Sequence, residues 1–231
     1  MKKIIKKSHV LVVGAGPNLR KYWDSIDNFI KKNNAVTIGI NRINSILTPD
    51  YHFWLDIKRY KKFGREINKK SRIIFGEYIG ASRIKRHWDG DYEIIKYSKN
   101  EQGSVRYNRK NNKFYGDFRS AGSLAILWSH IKDAKKISVV GMDGYTYNSK
   151  EELLEGRLGQ HCYSQGLTDQ VAVSKKYKRL NNDQFYNHCL EKDDNIYITL
   201  KSIKKYGVNF EIITPTIYKD FYNADVLNIK E

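Results

Sequence analysis

The residues of this sequence best suited to chemistry stand where a glycine-rich turn follows a short apolar run. His9-Val-Leu-Val-Val13 has the length of a buried strand, and Gly14-Ala-Gly-Pro-Asn18 follows at once. Glycine permits the backbone angles of a tight turn, and proline suits the first turn of a helix, where its missing N–H costs nothing. A strand, a glycine turn and a helix N-terminus direct backbone N–H groups to one point. The pattern therefore predicts a phosphate site.

Other polar residues stand directly after the other predicted strands. Ligands of open α/β sheets bind outside the carboxyl ends of the strands, where the strand order reverses. Residues at those ends combine phosphate-binding backbone with neutral and acidic hydrogen-bonding groups, which predicts a nucleotide pocket. They are Gly14, Ala15, Gly16, Asn18, Asn41, Arg42, Asp56, Asp143, Tyr145 and Thr214.

The glycine turn departs from the common nucleotide motifs. The GxGxxG fingerprint needs a third glycine where this chain has Leu19, and Asn41 stands where an acid would hold the ribose of NAD. No GxxxxGK(S/T) sequence occurs. We therefore expect a mononucleotide rather than a classical NAD site. The remaining interpretation is a tight turn that binds no ligand.

The elements that must position these residues alternate along the first third of the chain. Apolar runs of strand length occur at 9–13, 35–40, 51–55 and 72–75. Helical spacing occupies 17–32, and a basic amphipathic segment occupies 58–69. This β-α-β-β-α-β order predicts an α/β fold of Rossmann-like type, with a mostly parallel sheet flanked by helices.

The rest of the chain predicts the same architecture with two irregular stretches. We expect one nucleotide-binding domain over 1–231, with 76–117 as an excursion inserted beside the sheet and 146–190 as a lid-like loop region. A helix is predicted over 120–131, and strands are predicted over 136–141 and 208–213. Asp193-Asp194 is expected to cap a final helix that runs to Tyr206.

The main compositional signal is a formal net charge of +17 over 231 residues. It predicts attraction to nucleic acid, to an anionic membrane face or to phosphorylated substrates, although an AT-rich genome would also enrich lysine. The two cysteines form no CxxC pair, and no apolar run has the length of a membrane span. We expect a cytoplasmic protein, with a peripheral position on the inner membrane face as one option.

Several short blocks resemble the bacterial lipooligosaccharide sialyltransferases. They are Gly14-Ala-Gly-Pro-Asn18, Ile40-Asn41, Ser120-Ala-Gly-Ser123 and Ile137-Ser-Val-Val-Gly-Met-Asp-Gly-Tyr145. In that family the pattern runs Gly-Asn-Gly-Pro-Ser, Cys-Asn, Thr-Ser-Gly and an apolar strand that ends in Gly-Ile-Asp-Phe-Tyr. The 6-hydroxymethylpterin diphosphokinase-like proteins share the glycine turn and a Gly-x-Asp strand end. These blocks alone do not separate the two groups.

The resemblance implies a metal-independent glycosyltransferase that uses CMP-sialic acid or a related CMP-sugar, with no other cofactor, to modify a cell-surface glycan or glycolipid. It implies that Gly16, Asn18 and Asn41 hold the phosphate and ribose, while Ala121 and Gly122 face the sugar. Two positions depart from the family: Ala15 replaces an Asn that contacts the donor, and Ala121 replaces a Ser. A donor sugar other than sialic acid is therefore open.

The catalytic roles also come from the resemblance. It implies that Tyr145 and Tyr147 donate hydrogen bonds to the leaving phosphate and that His188 is the general base. The chemistry is compatible with these residues, since a histidine accepts a proton near neutrality and tyrosines stabilise a departing phosphate without a metal. A homo-oligomer is one assembly open to such a protein.

Three other interpretations remain. An ATP-dependent diphosphokinase would hold Mg²⁺ with acids such as Asp56, Asp143 and the Asp193-Asp194 pair. His161-Cys162 and His188-Cys189 offer four zinc ligands, but adjacent His and Cys side chains lack the usual ligand spacing. The basic, tyrosine-rich segment 106–115 would suit single-stranded nucleic acid, although no nucleic-acid-binding motif accompanies it.

Overall fold

A single sheet organises the computed structural model, which describes residues 5–99, 104–155 and 179–229. Its strands are β1 (His9–Val13), β2 (Val36–Ile40), β3 (Tyr51–Trp54), β4 (Arg72–Gly76), β5 (Tyr92–Ser98), β6 (Arg106–Asn108), β7 (Lys113–Tyr115), β8 (Lys136–Val140) and β9 (Phe210–Ile212). Their spatial order is β6-β7-β5-β4-β3-β2-β1-β8-β9. All neighbours pair in parallel except β6 with β7. The predicted mostly parallel, Rossmann-like α/β architecture is confirmed.

The strand order reverses at β1. The chain continues from β1 to β2, β3 and β4 on one side, whereas β8 lies on the other side of β1. Val10 to Val13 pair with Val36 to Gly39, and His9 to Val13 pair with Lys136 to Val140. In open α/β sheets this reversal opens a crevice at the carboxyl ends of the strands. The glycine turn after β1 stands at that crevice.

Helices cover both faces of the sheet. They are α1 (Asn18–Lys21), α2 (Trp23–Lys32), α3 (Ile57–Phe63), α4 (Ala81–Ile84), α5 (Ala121–Ile131), α6 (Lys150–Glu155) and α7 (Asn182–Lys205). Alternate residues of β1 point to opposite faces, as a period of two requires. Val10 and Val12 pack in the same cluster as residues of α5 and α7, and Leu11 and Val13 pack in the cluster that includes residues of α2.

The segment 76–117, expected as an excursion beside the sheet, instead extends the sheet. β5 pairs in parallel with β4, β7 pairs with β5, and β6 closes this edge as an antiparallel strand. Val105 and Phe114 are buried in the main core cluster, so this part is anchored by packing as well as by strand pairing. The sequence pattern does indicate a strand over 92–97, where β5 lies, but β6 and β7 have only three residues each and show no strand pattern of their own.

Two helix boundaries differ from the sequence prediction. The helix expected over 17–32 is interrupted at Tyr22, which separates α1 from α2. The expected cap at Asp193-Asp194 is wrong, because α7 begins eleven residues earlier, at Asn182. Asn181 caps it through a capping box with Gln184, in which each side chain bonds the other residue's backbone N–H. Asp193 therefore lies within α7 and does not cap it.

The lid-like region 146–190 lies only partly within the described residues. α6 and the first turns of α7 occupy its two ends, and Leu153, Phe185 and Cys189 form a small apolar cluster between them. Residues 156–178, which include His161 and Cys162, lie outside the described part. Among the described residues, none of the helices is long and apolar enough to cross a membrane.

Candidate functional site

A cavity of about 580 Å³ lies at the carboxyl ends of the parallel strands, across the point where the strand order reverses. Of the residues expected at the site, it is lined by Gly14, Ala15, Gly16, Asn41, Asp56, Ala121, Gly122, Asp143 and Tyr145. These come from five separate parts of the chain that only the parallel sheet brings together. A volume of this size suits a nucleotide or a small nucleotide conjugate.

The glycine turn after β1 is bonded mainly to the protein itself. The N–H groups of Gly14 and Gly16 donate to the carbonyl oxygens of Val140 and Gly141, each at 2.8 Å. The N–H of Asn18 donates to Oδ2 of Asp143 at 2.7 Å. A carboxylate thus stands at the start of α1, where the sequence predicts a phosphate. The N–H of Asn18 is thus bonded within the chain, and the ligand phosphate expected at the turn stays a prediction.

Both glycines of the turn are required by close contact with the loop after β8. A Cβ on Gly14 would lie 2.4 Å from the carbonyl oxygen of Gly141, and one on Gly16 would lie 2.5 Å from Oδ2 of Asp143. Real Cβ atoms do not approach other atoms so closely. The glycines therefore let two strand ends meet, which is a structural role that leaves Ala15 on the cavity wall.

Asp143 is the most unusual ionisable group of the cavity wall. The residue is 1% exposed, and its Oδ1 has no hydrogen-bond partner. Burial raises the pKa of Asp143 to about 7, because the charged form loses its hydration, and the bonds from Asn18 offset this only in part. Carboxyl groups with such a shift in a cleft are typical of functional sites.

Asn41 provides a second buried oxygen without a partner. It follows β2 with φ of 53°, a left-handed conformation that Asn tolerates better than most residues. Its carbonyl oxygen accepts a hydrogen bond from Nε2 of His52, and its N–H donates to Phe53 at 2.9 Å. Burial lowers the pKa of His52 to about 4, so this ring is neutral. The backbone is thus held firmly, while Oδ1 of the side chain stays unpaired.

Asp193 fixes the loop that follows β8. Its Oδ1 accepts hydrogen bonds from the N–H of Tyr145 and the hydroxyl of Tyr218, each at 2.8 Å. Its Oδ2 accepts from the N–H and the hydroxyl of Thr146, also at 2.8 Å. Burial, followed by the charge of Asp193, raises the pKa of Tyr218. This buried carboxylate was expected as a helix cap, and its spacing in the sequence carries no signal of its actual role.

The opposite end of the cavity has residues that the sequence does not indicate as a site. Tyr78, Tyr97 and Phe118 form an aromatic wall there, and basic side chains stand beside it. The cavity-lining cations are Lys58, Arg59, Arg119 and Lys192. Nζ of Lys192 lies 4.5 Å from the ring centre of Tyr145, which places a positive charge near the reversal point.

Five of the predicted residues lie outside the cavity lining. Nε of Arg42 donates to Oε2 of Glu66 at 2.8 Å, and the hydroxyl oxygen of Thr214 accepts a hydrogen bond from the N–H of Gly141 at 3.1 Å. Asn18 is buried, and its Nδ2 donates to the carbonyl oxygen of Pro215 at 2.9 Å, so its side chain braces the strand ends. Tyr147 is half-buried beyond the lining. His188 stands within α7, where its Nδ1 lies 3.9 Å from Oε2 of Glu191. Their expected contacts with a donor stay predictions.

The first turn of α5 also faces the cavity. Ser120 caps this helix, because its side chain accepts a hydrogen bond from the N–H of Gly122 at 3.1 Å. Ala121 and Gly122 line the cavity as expected. Within the described residues, no three His, Cys, Asp or Glu side chains form a group that would hold a metal ion.

Comparison with known proteins adds no family to this geometry. The chain matches no protein-family model and no curated protein.

Proposed function

We propose that this chain is a glycosyltransferase that uses a nucleotide-activated sugar, with a CMP-sugar as the expected donor. The observation that carries the proposal is the pair of unpartnered buried oxygens, Oδ1 of Asn41 and Oδ1 of Asp143, on the wall of one cavity. A buried polar atom without a partner costs free energy and calls for a ligand that supplies the missing bond.

The positions of the two oxygens favour a nucleoside. Asn41 follows β2 and Asp143 follows β8, with β1 between them, so two strand spacings, roughly 10 Å, separate the two strand ends. A nucleoside carries hydrogen-bond donors at both of its ends, namely the ribose hydroxyls and an exocyclic amino group. Cytidine, adenosine and guanosine have such an amino group, whereas uridine offers only the N–H of its ring, so the choice of CMP among them comes from the resemblance.

The charges of the cavity favour a departing phosphate. Transfer from a nucleotide-sugar develops positive charge on the sugar ring and negative charge on the leaving phosphate. Lys58, Arg59 and Lys192, together with the N-terminus of α5, provide positive potential along the cavity. Tyr145 adds a hydroxyl to the same wall. The proton acceptor for the incoming hydroxyl stays assigned to His188 by the resemblance alone.

The alternative diphosphokinase activity receives less support from the geometry. Asp56 and Asp143 both line the cavity, but their strands, β3 and β8, are separated by three spacings, roughly 14 Å. One Mg²⁺ binds its oxygen ligands at about 2.1 Å, so two carboxylates so far apart do not share an ion. Asp193 already accepts four bonds from the protein.

A peripheral position on an anionic membrane belongs to the same proposal. Exposed lysine and arginine side chains on the α3–α4 layer form a basic lobe: Lys58, Lys61, Lys62, Arg65, Lys69, Lys70, Lys85 and Arg86. The hydroxyl of Tyr60 donates to the carbonyl oxygen of Ile84 at 2.7 Å, which joins the two helices into one layer. Each such cation contributes about 1 kcal/mol near an anionic bilayer.

The test is a thermal-shift measurement with CMP, UMP, GMP and ATP, each with and without Mg²⁺. CMP at one hundred times its Kd should raise the Tm by about 5–10 °C without metal, since binding to the native state alone stabilises it. Asn41→Gly removes the unpaired oxygen and tolerates the left-handed backbone, and should weaken CMP binding about tenfold.

The matched control is Asn34→Gly, because Asn34 is also left-handed, with φ of 45°, but is exposed and lies outside the cavity. It should bind CMP as the unaltered protein does. If no nucleotide shifts the Tm, the proposed function is wrong. If only ATP with Mg²⁺ does so, the diphosphokinase alternative replaces it.

A further inference from the structure

We propose that the end of the cavity formed by Tyr78, Tyr97, Phe118 and Arg119 binds the sugar acceptor and that this acceptor is an acidic glycan. The assignment of the bound sugar as the acceptor rests on the proposed function. The recognition of an acidic sugar at this end rests on the geometry of the wall and is tested separately.

The length of the cavity leaves this end for a second ligand. Its lining extends from Asp143, after β8, to Tyr97, in β5. The ring of Tyr97 reaches back beside Leu55, which follows β3, and β3 lies three strand spacings, roughly 14 Å, from β8. The unpartnered oxygens of Asn41 and Asp143 assign a nucleoside to the first 10 Å or so. The remainder, together with the solvent-exposed rim at Tyr78, accommodates the transferred sugar and one acceptor sugar.

The aromatic wall provides a surface for a sugar ring. The ring centres of Tyr78 and Tyr97 lie 5.2 Å apart at 87°, and those of Tyr97 and Phe118 lie 6.5 Å apart at 80°. Tyr78 remains 52% exposed, so one large ring is open to solvent at the rim of the cavity. Aromatic rings of this kind bind the apolar faces of sugars and still offer a polar hydroxyl.

Hydrogen bonds hold the wall in place. The hydroxyl of Tyr78 donates to the carbonyl oxygen of Tyr97 at 3.0 Å, and the N–H of Tyr97 donates to Oε1 of Glu77 at 2.9 Å. A Cβ on Gly76 would lie 3.0 Å from a ring carbon of Tyr97, so the glycine makes room for this ring. The rings are therefore preorganised, which reduces the entropy cost of binding.

The charges beside the wall favour an anionic sugar. Lys58, Arg59 and Arg119 line this end together with Asp56, whereas the other acid in the described lining, Asp143, stands at the opposite end. Asp56 caps α3 by accepting hydrogen bonds from the N–H groups of Lys58 and Arg59. Nε of Arg119 donates to Oδ1 of Asp117 at 3.0 Å, which fixes the guanidinium while 42% of the side chain stays exposed. Guanidinium groups bind carboxylates and phosphates with strong, directed bonds.

The experiment measures binding of 3′-sialyllactose, trigalacturonate and neutral lactose by saturation-transfer NMR and by calorimetry. At least one acidic glycan should bind at least tenfold more tightly than lactose. Tyr78→Ala and Arg119→Gln should each weaken this binding about tenfold, the size expected for one lost ring contact or one charge-assisted bond. Neither variant should change the affinity for CMP.

The matched controls are Tyr92→Ala and Arg106→Gln. Tyr92 is 40% exposed, Arg106 is exposed, and both lie outside this cavity. Both controls should bind the acidic glycan as the unaltered protein does. Circular dichroism and Tm establish that every variant is folded.

Four results would overturn the proposal. The first is that neither acidic glycan binds more tightly than lactose. The second is that Tyr78→Ala and Arg119→Gln leave glycan binding unchanged. The third is that the two variants weaken CMP binding and not glycan binding, which would mean that the nucleotide binds at this end of the cavity. The fourth is that they reduce binding only to anionic vesicles, which would make the wall a membrane contact. Glycan binding without any CMP binding would refute the proposed function and leave the acidic-sugar site in place.

Discussion

At the scale of single residues, the hydrogen bond of Asp143 changes the role that we assign to the glycine turn. The sequence predicts that the turn after β1 receives a ligand phosphate, and the structure shows Oδ2 of Asp143 bonded to the N–H of Asn18 at 2.7 Å. The carboxyl group of Asp143 thereby partly neutralises the positive N-terminal end of the short helix α1. Under the proposed function, the phosphate of the donor lies elsewhere on the wall, beside Lys192 and the N-terminus of α5. The glycine turn then positions Asp143 rather than the ligand.

The raised pKa of Asp143 predicts a specific pH dependence of stability. Its folded pKa, about 7, lies above the ordinary value of 3.8, so the native state binds the proton more tightly than the unfolded state. The stabilisation is complete below pH 4 and is lost as pH rises through 7; the shift corresponds to a loss on the order of 4 kcal/mol. Asp193 and Tyr218, ionisable groups near Asp143, are both retained in the variant Asp143→Asn that tests this prediction.

Asp143→Asn should remove this component. Urea unfolding of both proteins between pH 4 and pH 8 should show the free energy of unfolding of the unaltered protein falling relative to that of the variant. The difference should develop mainly between pH 4 and pH 7, the interval between the unfolded and folded pKa values of Asp143, and should level off above it. Two curves that stay parallel over this range would mean that Asp143 is ionised throughout and that its burial has no such effect.

At the scale of elements, α7 holds the site together from outside the sheet. Asp193 projects from the middle of this helix and accepts four hydrogen bonds from the loop after β8 and from Tyr218. The same helix contributes Lys192 and Ile196 to the cavity lining. A long helix that packs in the main core is a rigid support for a loop, since its own position is fixed by Ile196, Leu200 and Ile203.

Asp193→Asn should therefore affect both stability and ligand binding. The amide nitrogen would face donors in place of an acceptor oxygen, which leaves buried N–H or O–H groups unpaired and should cost about 2–4 kcal/mol in the free energy of unfolding. CMP should bind more weakly, because the loop that carries Asp143 and Tyr145 loses its support.

The control for this prediction is the neighbouring substitution Asp194→Asn, since Asp194 is exposed on the same helix. It removes the same charge and should change the free energy of unfolding by less than about 0.5 kcal/mol. Equal effects of the two substitutions in urea unfolding would show that the charge of α7, and not the hydrogen bonds of Asp193, is what matters.

At the scale of the whole molecule, the positive charge is unevenly placed. Residues 57–88 contain eleven Lys and Arg against two Glu. The aromatic side chains Tyr60, Phe63 and Trp88 of this basic lobe are buried against the sheet, so they do not form a stacking platform for nucleic acid bases. The lobe therefore fits the proposed membrane surface better than single-stranded nucleic acid, while nucleic-acid binding by the segment 106–115 stays a prediction. Lys58 belongs both to the lobe and to the cavity wall, so the proposed membrane contact would place the cavity beside the bilayer.

Vesicle sedimentation tests this orientation. The triple variant Lys61→Gln, Lys62→Gln and Lys85→Gln should bind vesicles of phosphatidylcholine with 30% phosphatidylglycerol at least tenfold more weakly, since each cation contributes about 1 kcal/mol. Binding of the unaltered protein should fall steeply with salt, and vesicles of phosphatidylcholine alone should not bind.

A second triple variant, Lys135→Gln, Lys201→Gln and Lys205→Gln, has the same net charge but alters exposed lysines outside the lobe. It should retain most of the affinity. If both triple variants lose equal affinity, the membrane senses only the total charge of the protein, and the basic lobe has no special role.

The sequence by itself determined the architecture and the location of the site. Apolar runs of strand length separated by helical spacing imply a parallel sheet, and parallel strands bring their carboxyl ends to one edge. Gly14, Asn41, Asp56 and Asp143 were therefore predictable as neighbours of one cavity. The pattern of a strand depends on local periodicity, which the sequence displays directly.

Only the tertiary structure decided what these residues contact. Whether Asp143 faces a ligand or the N–H of Asn18 depends on a separation of 125 positions along the chain, and no local pattern encodes it. The same holds for Asp193, which a local rule assigns to a helix cap, and for Tyr97, whose strand joins the sheet edge through β4. Hydrogen bonding and burial of a polar side chain are set by partners that are distant in sequence, and those partners meet only when the sheet is formed.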